Sequence, residues 1–127
     1  MSTQENKEMA RRYFDERWNH GNMDVYDEML APDFDSEGIK EWTRSVYASL
    51  GDIQLEILDL IAEGDQVAVH YIFKATHQGE YLNVPATGKA LTNEGVALLR
   101  FVDGKIAEDR AFWDDLKTLK QMGVALP

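Results

Sequence analysis

The chain has no cysteine, and it has only three histidines and three prolines among its 127 residues. Without cysteine it cannot form a disulfide bond, a thiolate nucleophile or a cysteine-ligated metal site. The histidines are scattered and show neither H-x-x-x-H nor H-E-x-x-H spacing, so the sequence predicts no metal site. We expect a protein whose chemistry needs no bound metal.

Positive charge is also scarce. Lysine and arginine number 13 against 23 aspartates and glutamates, which gives a formal net charge of -10. Nucleic-acid binding needs clustered lysine and arginine to meet the phosphates, so this balance argues against it as a general role. The chain contains no Walker-type loop and no G-x-G-x-x-G motif. An uncharged or weakly polar small molecule suits the charge balance better.

Long apolar runs are absent as well. No run approaches the length of a membrane span, and residues 1–7 are polar and contain no apolar signal segment. We therefore expect no membrane association and, by default, a cytoplasmic location. Apolar residues make up 44% of the chain and charged residues 28%, which are values typical of globular proteins. The length suits one domain over residues 1–127.

The first part of the chain has helical periodicity. Apolar residues recur at spacings of three and four within residues 3–20, 23–30 and 37–50. Gly21, Pro32 and Gly51 follow these segments and supply the signals that end them. Three helices are predicted here.

The second part of the chain changes to a strand pattern. Strands are predicted over residues 53–62, 67–76, 91–102 and 105–113, with hairpin signals at Glu63-Gly64-Asp65 and Asp103-Gly104. A loop is predicted over residues 79–89, and a last helix is predicted over residues 114–122, before Gly123. Helices first and then strands joined by turns indicate an α+β fold, in which a curved antiparallel sheet has helices packed on one face.

Asp114 stands where the last predicted strand passes into the last helix, directly after Phe112 and Trp113. Aromatic surface can desolvate a carboxylate and raise its pKa, which suits a general acid or base near neutral pH. The alternative is a solvated acid at a helix N-terminus, where free N–H groups and the helix dipole favour aspartate. The residues of this junction alone favour the second interpretation.

Several motifs occur in a particular order along the chain: Ala31-Pro32-Asp33-Phe34, Glu63-Gly64-Asp65, Thr76-His77-Gln78-Gly79, Pro85-Ala86-Thr87-Gly88, Asp103-Gly104-Lys105-Ile106, and Trp113-Asp114 before Gln121-Met122-Gly123. Their order and spacing resemble the SnoaL-like polyketide cyclases of the nuclear transport factor 2-like fold. The resemblance spans most of the chain. It implies a conical α+β barrel in which the N-terminal helices cover the concave face of a bent sheet and leave a pocket.

The resemblance also implies a mechanism. In these cyclases an aspartate at the end of the last strand is the acid/base catalyst of an intramolecular aldol closure, and no metal or organic cofactor takes part. The spacing to the terminal Gln-x-Gly matches that aspartate to Asp114 rather than Asp115. The implied protein is a cofactor-independent cyclase-, lyase- or isomerase-like enzyme that acts on an apolar or aromatic carbonyl ligand and forms a homodimer.

The other pocket candidates are mostly aromatic, and the sequence does not separate core from cavity lining: Tyr13, Trp18, Trp42, Tyr71, Phe73, His77, Asn93, Arg110 and Phe112. On an unbroken last strand, Arg110, Phe112 and Asp114 share one face, while Asp109, Ala111 and Trp113 share the other. Arg110 then either enters the cavity beside Asp114 or faces solvent, and the two outcomes are equally compatible with the pattern.

Two other functions remain open, and the sequence does not identify the substrate. One is water activation, as in epoxide hydrolases of the same fold, which use an Asp-Arg-Asp arrangement and would need Arg110 in the cavity. The other is a non-catalytic ligand-binding or dimerisation module, because fold alone does not define function. The short segment Asp35-Ser36-Glu37-Gly38, where relatives commonly carry a longer segment with a histidine, favours the module.

Overall fold

The computed structural model describes residues 2–125. Along them lie α1 (Thr3–Asn19), α2 (Asp24–Met29), α3 (Ser36–Ser49), β1 (Leu50–Glu63), β2 (Gln66–His77), β3 (Ala90–Val102), β4 (Lys105–Trp113) and α4 (Asp115–Gln121). Each predicted helix and strand is present, with bounds shifted by a few residues at most. Residues 1, 126 and 127 lie outside the described part, so the domain bounds 1–127 stay a prediction.

Helix α1 begins at a capping box. The Ser2 hydroxyl accepts a hydrogen bond from the Glu5 backbone N–H, and the Glu5 carboxylate accepts one from the Ser2 N–H, both at 3.1 Å. Ala10, Tyr13, Phe14 and Trp18 then recur on one side of the helix and are buried. This apolar side packs on the sheet and forms most of the helical cover.

The four strands form one antiparallel sheet in the order β1-β2-β3-β4. The β3–β4 turn has Asp103 at φ 50° and Gly104 at φ 76°, the left-handed pair that a two-residue hairpin turn requires. Bulges in β1 and between β3 and β4 bend the sheet. Helices packed on a curved antiparallel sheet confirm the predicted α+β class.

The two faces of the sheet differ in burial. Val67, Val69, Ala97 and Leu99 point inward and are buried under the helices. The outer face carries exposed apolar side chains and a charged cluster, in which the two ring nitrogens of His70 lie 2.8 Å from an Asp59 oxygen and 2.9 Å from a Glu94 oxygen. No helix among residues 2–125 is both long and apolar enough to cross a membrane.

Candidate active site

A cavity of about 470 Å³ lies between the helices and the inner face of the sheet. This volume falls within the range of about 300–1,000 Å³ that is common for small-molecule sites. The walls are mainly apolar and aromatic, with contributions from α1, α3 and every strand, including Phe14, Trp18, Trp42, Val46, Tyr71, Phe73 and Trp113. Such walls favour a ligand with a large apolar or aromatic surface.

The tryptophans of the cavity contact one another. Trp18 on α1 meets Trp42 on α3 edge-on at 5.7 Å between ring centroids, and it meets Phe73 on β2 edge-on at 5.4 Å. Trp42 also stacks on Trp113 of β4 at 6.0 Å and 17°. Edge-on and offset stacked rings are favourable geometries, so these contacts fix the cavity walls.

A buried ion pair lies in the wall of this apolar cavity. Arg17 Nη2 on α1 is 3.3 Å from Asp109 Oδ2 on β4, and the two side chains are 3% and 6% exposed. Both residues line the cavity. A buried charge is costly unless it is paired, so each residue depends on the other.

Tyrosines complete the surroundings of the pair. The Tyr13 hydroxyl donates to Asp109 Oδ2 at 2.9 Å, and Arg17 Nη1 donates to the Tyr13 oxygen at 3.1 Å. Arg17 Nη1 also reaches the Tyr26 oxygen at 3.4 Å, and Tyr26 shares a hydrogen bond of 2.6 Å with Thr43. Burial raises the pKa of the Tyr13 hydroxyl well above its usual value, so the hydroxyl keeps its proton and donates a hydrogen bond to Asp109.

Arg17 stays charged in this environment. Burial alone would lower the pKa of its guanidinium, but its electrostatic interactions with Tyr13, Asp109 and Tyr26 outweigh burial and raise the pKa. The guanidinium carbon also lies 4.1 Å from the Tyr13 ring centroid and 4.6 Å from that of Phe14, within cation–π range.

The two oxygens of the Asp109 carboxylate differ in their contacts. Tyr13 and Arg17 both contact Oδ2, and no group among residues 2–125 hydrogen-bonds Oδ1. A carboxylate with one oxygen fixed and the other without a protein partner, in the wall of a mainly apolar cavity, can accept a proton from a bound molecule and return it.

Five of the predicted pocket residues line the cavity: Trp18, Trp42, Tyr71, Phe73 and Asn93. Tyr13 and His77 do not. Tyr13 lies in the core, behind the cavity wall, and its hydroxyl contacts the lining residues Arg17 and Asp109. His77 is fully buried, and its Nδ1 lies 2.8 Å from the Thr87 hydroxyl, so that it holds the loop that follows β2.

Arg110 and Phe112 also lie outside the cavity, on the outer face of the sheet. The Arg110 side chain is 56% exposed and points toward Glu108, and Phe112 is 60% exposed. The predicted alternation of β4 holds, but Asp109, Ala111 and Trp113 form the cavity side.

A bulge explains which face of β4 points inward. Ile106 pairs with Phe101 and is fully buried, whereas the next paired residues are Glu108 and Arg100. Unbroken alternation from Ile106 would turn Arg110 and Phe112 inward. The extra residue in β4, Ala107, shifts the phase by one, so that the opposite set faces the cavity.

Asp114 lies at the start of α4, outside the residues that line the cavity. Its Oδ1 accepts a hydrogen bond of 3.0 Å from the Lys117 backbone N–H, which makes it the N-cap of α4. It is exposed and does not line the cavity. This is the position expected from the alternative interpretation, a solvated aspartate at a helix N-terminus. No observation tests whether Asp114 acts as an acid or a base.

The Arg17–Asp109 pair was not predicted from the sequence. One signal was available, because Arg17 lies directly before Trp18 on the apolar side of α1, where a charged residue is unusual unless it is paired. Among residues 2–125 no group of three or more histidine, aspartate or glutamate side chains could hold a metal ion. Cofactor independence stays a prediction.

Comparison with known proteins relates the chain to cyclases. A family model for SnoaL-like polyketide cyclases matches residues 8–122. Nogalonic acid methyl ester cyclase from Streptomyces nogalater is 27% identical over 125 residues, which cover 87% of this chain and 92% of that protein. Aklanonic acid methyl ester cyclase DauD from Streptomyces sp. (strain C5) is 28% identical over 126 residues, which cover 99% of this chain and 76% of that protein.

Solved structures share the fold. TsrD from Streptomyces laurentii superposes with a TM-score of 0.88 and covers 97% of this chain and 98% of its own, at 22% identity. At that identity the likeness shows the fold alone.

Proposed function

Because this chain belongs to the SnoaL-like polyketide cyclase family, we propose that it closes a ring in a small carbonyl substrate by acid/base chemistry in the aromatic cavity. The observation on which the proposal rests is the position of Asp109. Asp35 also lines the cavity, but it is exposed and its Oδ1 caps α3 by accepting a hydrogen bond from the Gly38 N–H. The Asp109 carboxylate instead lies in the cavity wall with one oxygen fixed by Tyr13 and Arg17.

The proposed reaction is an intramolecular aldol closure. Asp109 Oδ1 takes the proton from a carbon that is acidified by neighbouring carbonyl groups, which leaves a carboxylic acid and an enolate. The enolate carbon attacks a second carbonyl carbon of the same molecule, and a carbon–carbon bond forms. The new alkoxide takes the proton back from Asp109, so the carboxylate is restored and no other reactant is needed.

Each surrounding residue has a part in this proposal. Arg17 balances the charge of Asp109 in a wall that has little other compensation. Tyr13 fixes the orientation of the carboxylate through Oδ2. The aromatic walls exclude water and hold a flat apolar ligand, which supports an apolar or aromatic substrate.

The acid/base role that the sequence assigns to Asp114 stays a prediction. Its carboxylate is engaged as the cap of α4, which favours Asp109 as the acid/base group. A non-catalytic ligand-binding module remains the second candidate function. The water-activating alternative depends on Arg110 in the cavity, and the position of Arg110 on the outer face counts against it.

The test is an assay of cyclisation with nogalonic acid methyl ester and aklanonic acid methyl ester, the compounds that name the two relatives. Wild type, Asp109→Asn and Asp114→Asn are compared, and the folded state of each is checked by circular dichroism. We expect turnover by wild type and Asp114→Asn, and loss in Asp109→Asn. Loss in Asp114→Asn alone would favour the sequence-based assignment, and binding without turnover in wild type would favour the module.

A homodimer formed through the outer sheet face is part of the proposal. Ile61, Val96 and Phe112 on that face are 67%, 37% and 60% exposed, and Val96 pairs directly with Phe112 across β3 and β4. Exposed apolar side chains that are neighbours on a sheet face, as Val96 and Phe112 are, favour an interface. The cytoplasmic location expected from the sequence stays a prediction.

A further inference from the structure

The Tyr71 hydroxyl is a polar group of the cavity that the proposed reaction does not yet use. Tyr71 lies on the inner face of β2, lines the cavity and is 5% exposed. No group in the described part of the chain hydrogen-bonds its hydroxyl, whereas the hydroxyls of Tyr13, Tyr26 and Tyr47 each bond to a protein atom. The Tyr71 hydroxyl is not among the fully buried polar atoms that lack a partner, so it keeps some accessible surface although the residue as a whole is buried. An accessible hydroxyl without a protein partner is suited to an oxygen of a bound ligand.

Gly95 fixes where that hydroxyl lies. Tyr71 pairs with Gly95 across β2 and β3, and a Cβ added to Gly95 would lie 2.6 Å from the Tyr71 hydroxyl oxygen and 2.7 Å from its Cζ. The ring therefore lies across the bare backbone of β3 with its hydroxyl directed toward β4. Phe14 packs against the ring at 5.6 Å, so the hydroxyl is held in place before any ligand binds.

Burial raises the pKa of Tyr71 to about 12, although Arg17 acts in the opposite direction. The hydroxyl therefore keeps its proton near neutral pH and can donate a hydrogen bond without losing the proton. The charges of Arg17 and Asp109 both affect the pKa of Tyr71. Its hydroxyl therefore lies within electrostatic range of the ion pair in the same cavity.

We propose that Tyr71 donates a hydrogen bond to the carbonyl oxygen of the substrate that becomes negative when Asp109 removes the proton, and that Gly95 permits this placement. The inference rests on the proposed function. In the enolate the charge lies largely on oxygen, and a donor fixed in advance stabilises that charge more than the neutral carbonyl. Tyr71 keeps its proton throughout, so the balance of the reaction is unchanged.

A naphthol tests this role without turnover. The ionised form of 2-naphthol resembles an aromatic enolate, and its absorbance differs from that of the neutral form. The ionised fraction of bound 2-naphthol is measured against pH in wild type, Tyr71→Phe and Gly95→Ala. Tyr47→Phe is the matched control, because the Tyr47 hydroxyl bonds to the Arg17 backbone and does not line the cavity.

We expect the ionisation constant of bound naphthol to fall about tenfold or more in Tyr71→Phe, in line with a hydrogen bond to a charged group. Gly95→Ala should displace the hydroxyl and give a decrease in the same direction, and Tyr47→Phe should match wild type. Equal ionisation in wild type and Tyr71→Phe, or no binding of naphthol by wild type, would overturn the inference.

The kinetic arm separates this inference from the proposed function. With a methyl ester that wild type cyclises, Tyr71→Phe should lower kcat about tenfold or more with little change in KM, because the bond strengthens only as charge develops. If wild type shows no cyclisation but Tyr71 still promotes ionisation of bound naphthol, the proposed reaction is wrong. The role of Tyr71 as a hydrogen-bond donor to a negative oxygen is then still supported. If Asp109→Asn abolishes cyclisation and Tyr71→Phe does not alter it, only the inference fails.

Discussion

Arg17 and Asp109 connect the first helix to the last strand by an ion pair that is almost fully removed from solvent, with 3.3 Å between Nη2 and Oδ2. The pair lies in the wall of an aromatic cavity and is braced by Tyr13. Because the two residues are far apart in sequence, the pair exists only when helix and sheet are assembled. It is therefore both a structural contact of the fold and the centre of the proposed chemistry.

Replacing Arg17 by Met should lower the free energy of unfolding by roughly 3–5 kcal/mol, because Asp109 would be left buried without its partner. Urea denaturation monitored by circular dichroism measures the change. Arg12→Met is the matched control, because Arg12 pairs with Glu28 on the surface, where the side chains are about half exposed, and its loss should have a much smaller effect.

The double variant Arg17→Met/Asp109→Leu should recover most of that lost stability, since it removes both buried charges at once. A double variant that is less stable than either single variant would contradict the coupling of the pair. The recovered protein should still lack cyclisation, because the carboxylate is gone.

Alkaline pH should reveal the burial of Tyr71. Its pKa is raised from 10.0 to about 12, and burial is the main cause. The stability that comes from its neutral hydroxyl is fully present below pH 10, and it is lost as pH rises toward about 12, because the unfolded chain ionises first. The difference in free energy of unfolding between wild type and Tyr71→Phe should therefore change over this interval. No change with pH would contradict the burial of the hydroxyl.

His70 should titrate above its ordinary pKa of 6.5. Hydrogen bonds to Asp59 and then to Glu94 raise the pKa of the imidazole, despite opposition from desolvation. The stabilisation is therefore present below pH 6.5 and is lost as pH rises through the raised pKa. Titration of the His70 ring signals by NMR in wild type and in Asp59→Asn should show a lower pKa in the variant. Identical titration curves would rule out the ion pair in solution.

Phe112→Lys should disrupt the proposed homodimer. The change places a charge among the exposed apolar side chains of the outer sheet face, where a dimer would have to bury it. Light scattering should give a dimer mass for wild type and a monomer mass for the variant. Lys74→Ala, which changes another side chain of the outer face without adding a buried charge, is the control. A monomer mass for wild type would contradict the proposed homodimer.

Much of the fold was predictable from sequence, because apolar spacing fixes which segments are helices and which are strands. The bounds of β4 agree with the prediction, and Trp18, Trp42, Tyr71, Phe73 and Asn93, which are candidate pocket residues in the sequence, line the cavity. Periodicity indicates which side of a helix or strand is apolar, and the resemblance to a pocket-forming fold indicated that some of these side chains line a cavity.

The acid of the site was not predictable in the same way. Alternation identified the two faces of β4, but the extra residue Ala107 decides which face points inward. A bulge depends on how two strands pair, and that information is not contained in either strand alone. Likewise, the partner of Arg17 lies at the far end of the chain, so a local pattern could only indicate that a partner was needed.

The most direct test of the central claim is the rate of cyclisation by Asp109→Asn relative to wild type, for variants shown to be folded. Loss of an acid/base group typically lowers the rate by about 100- to 10,000-fold, and we predict a loss of that size, while Asp114→Asn retains the wild-type rate. Retention of the wild-type rate by folded Asp109→Asn would contradict the assignment of Asp109 as the acid/base of this cavity.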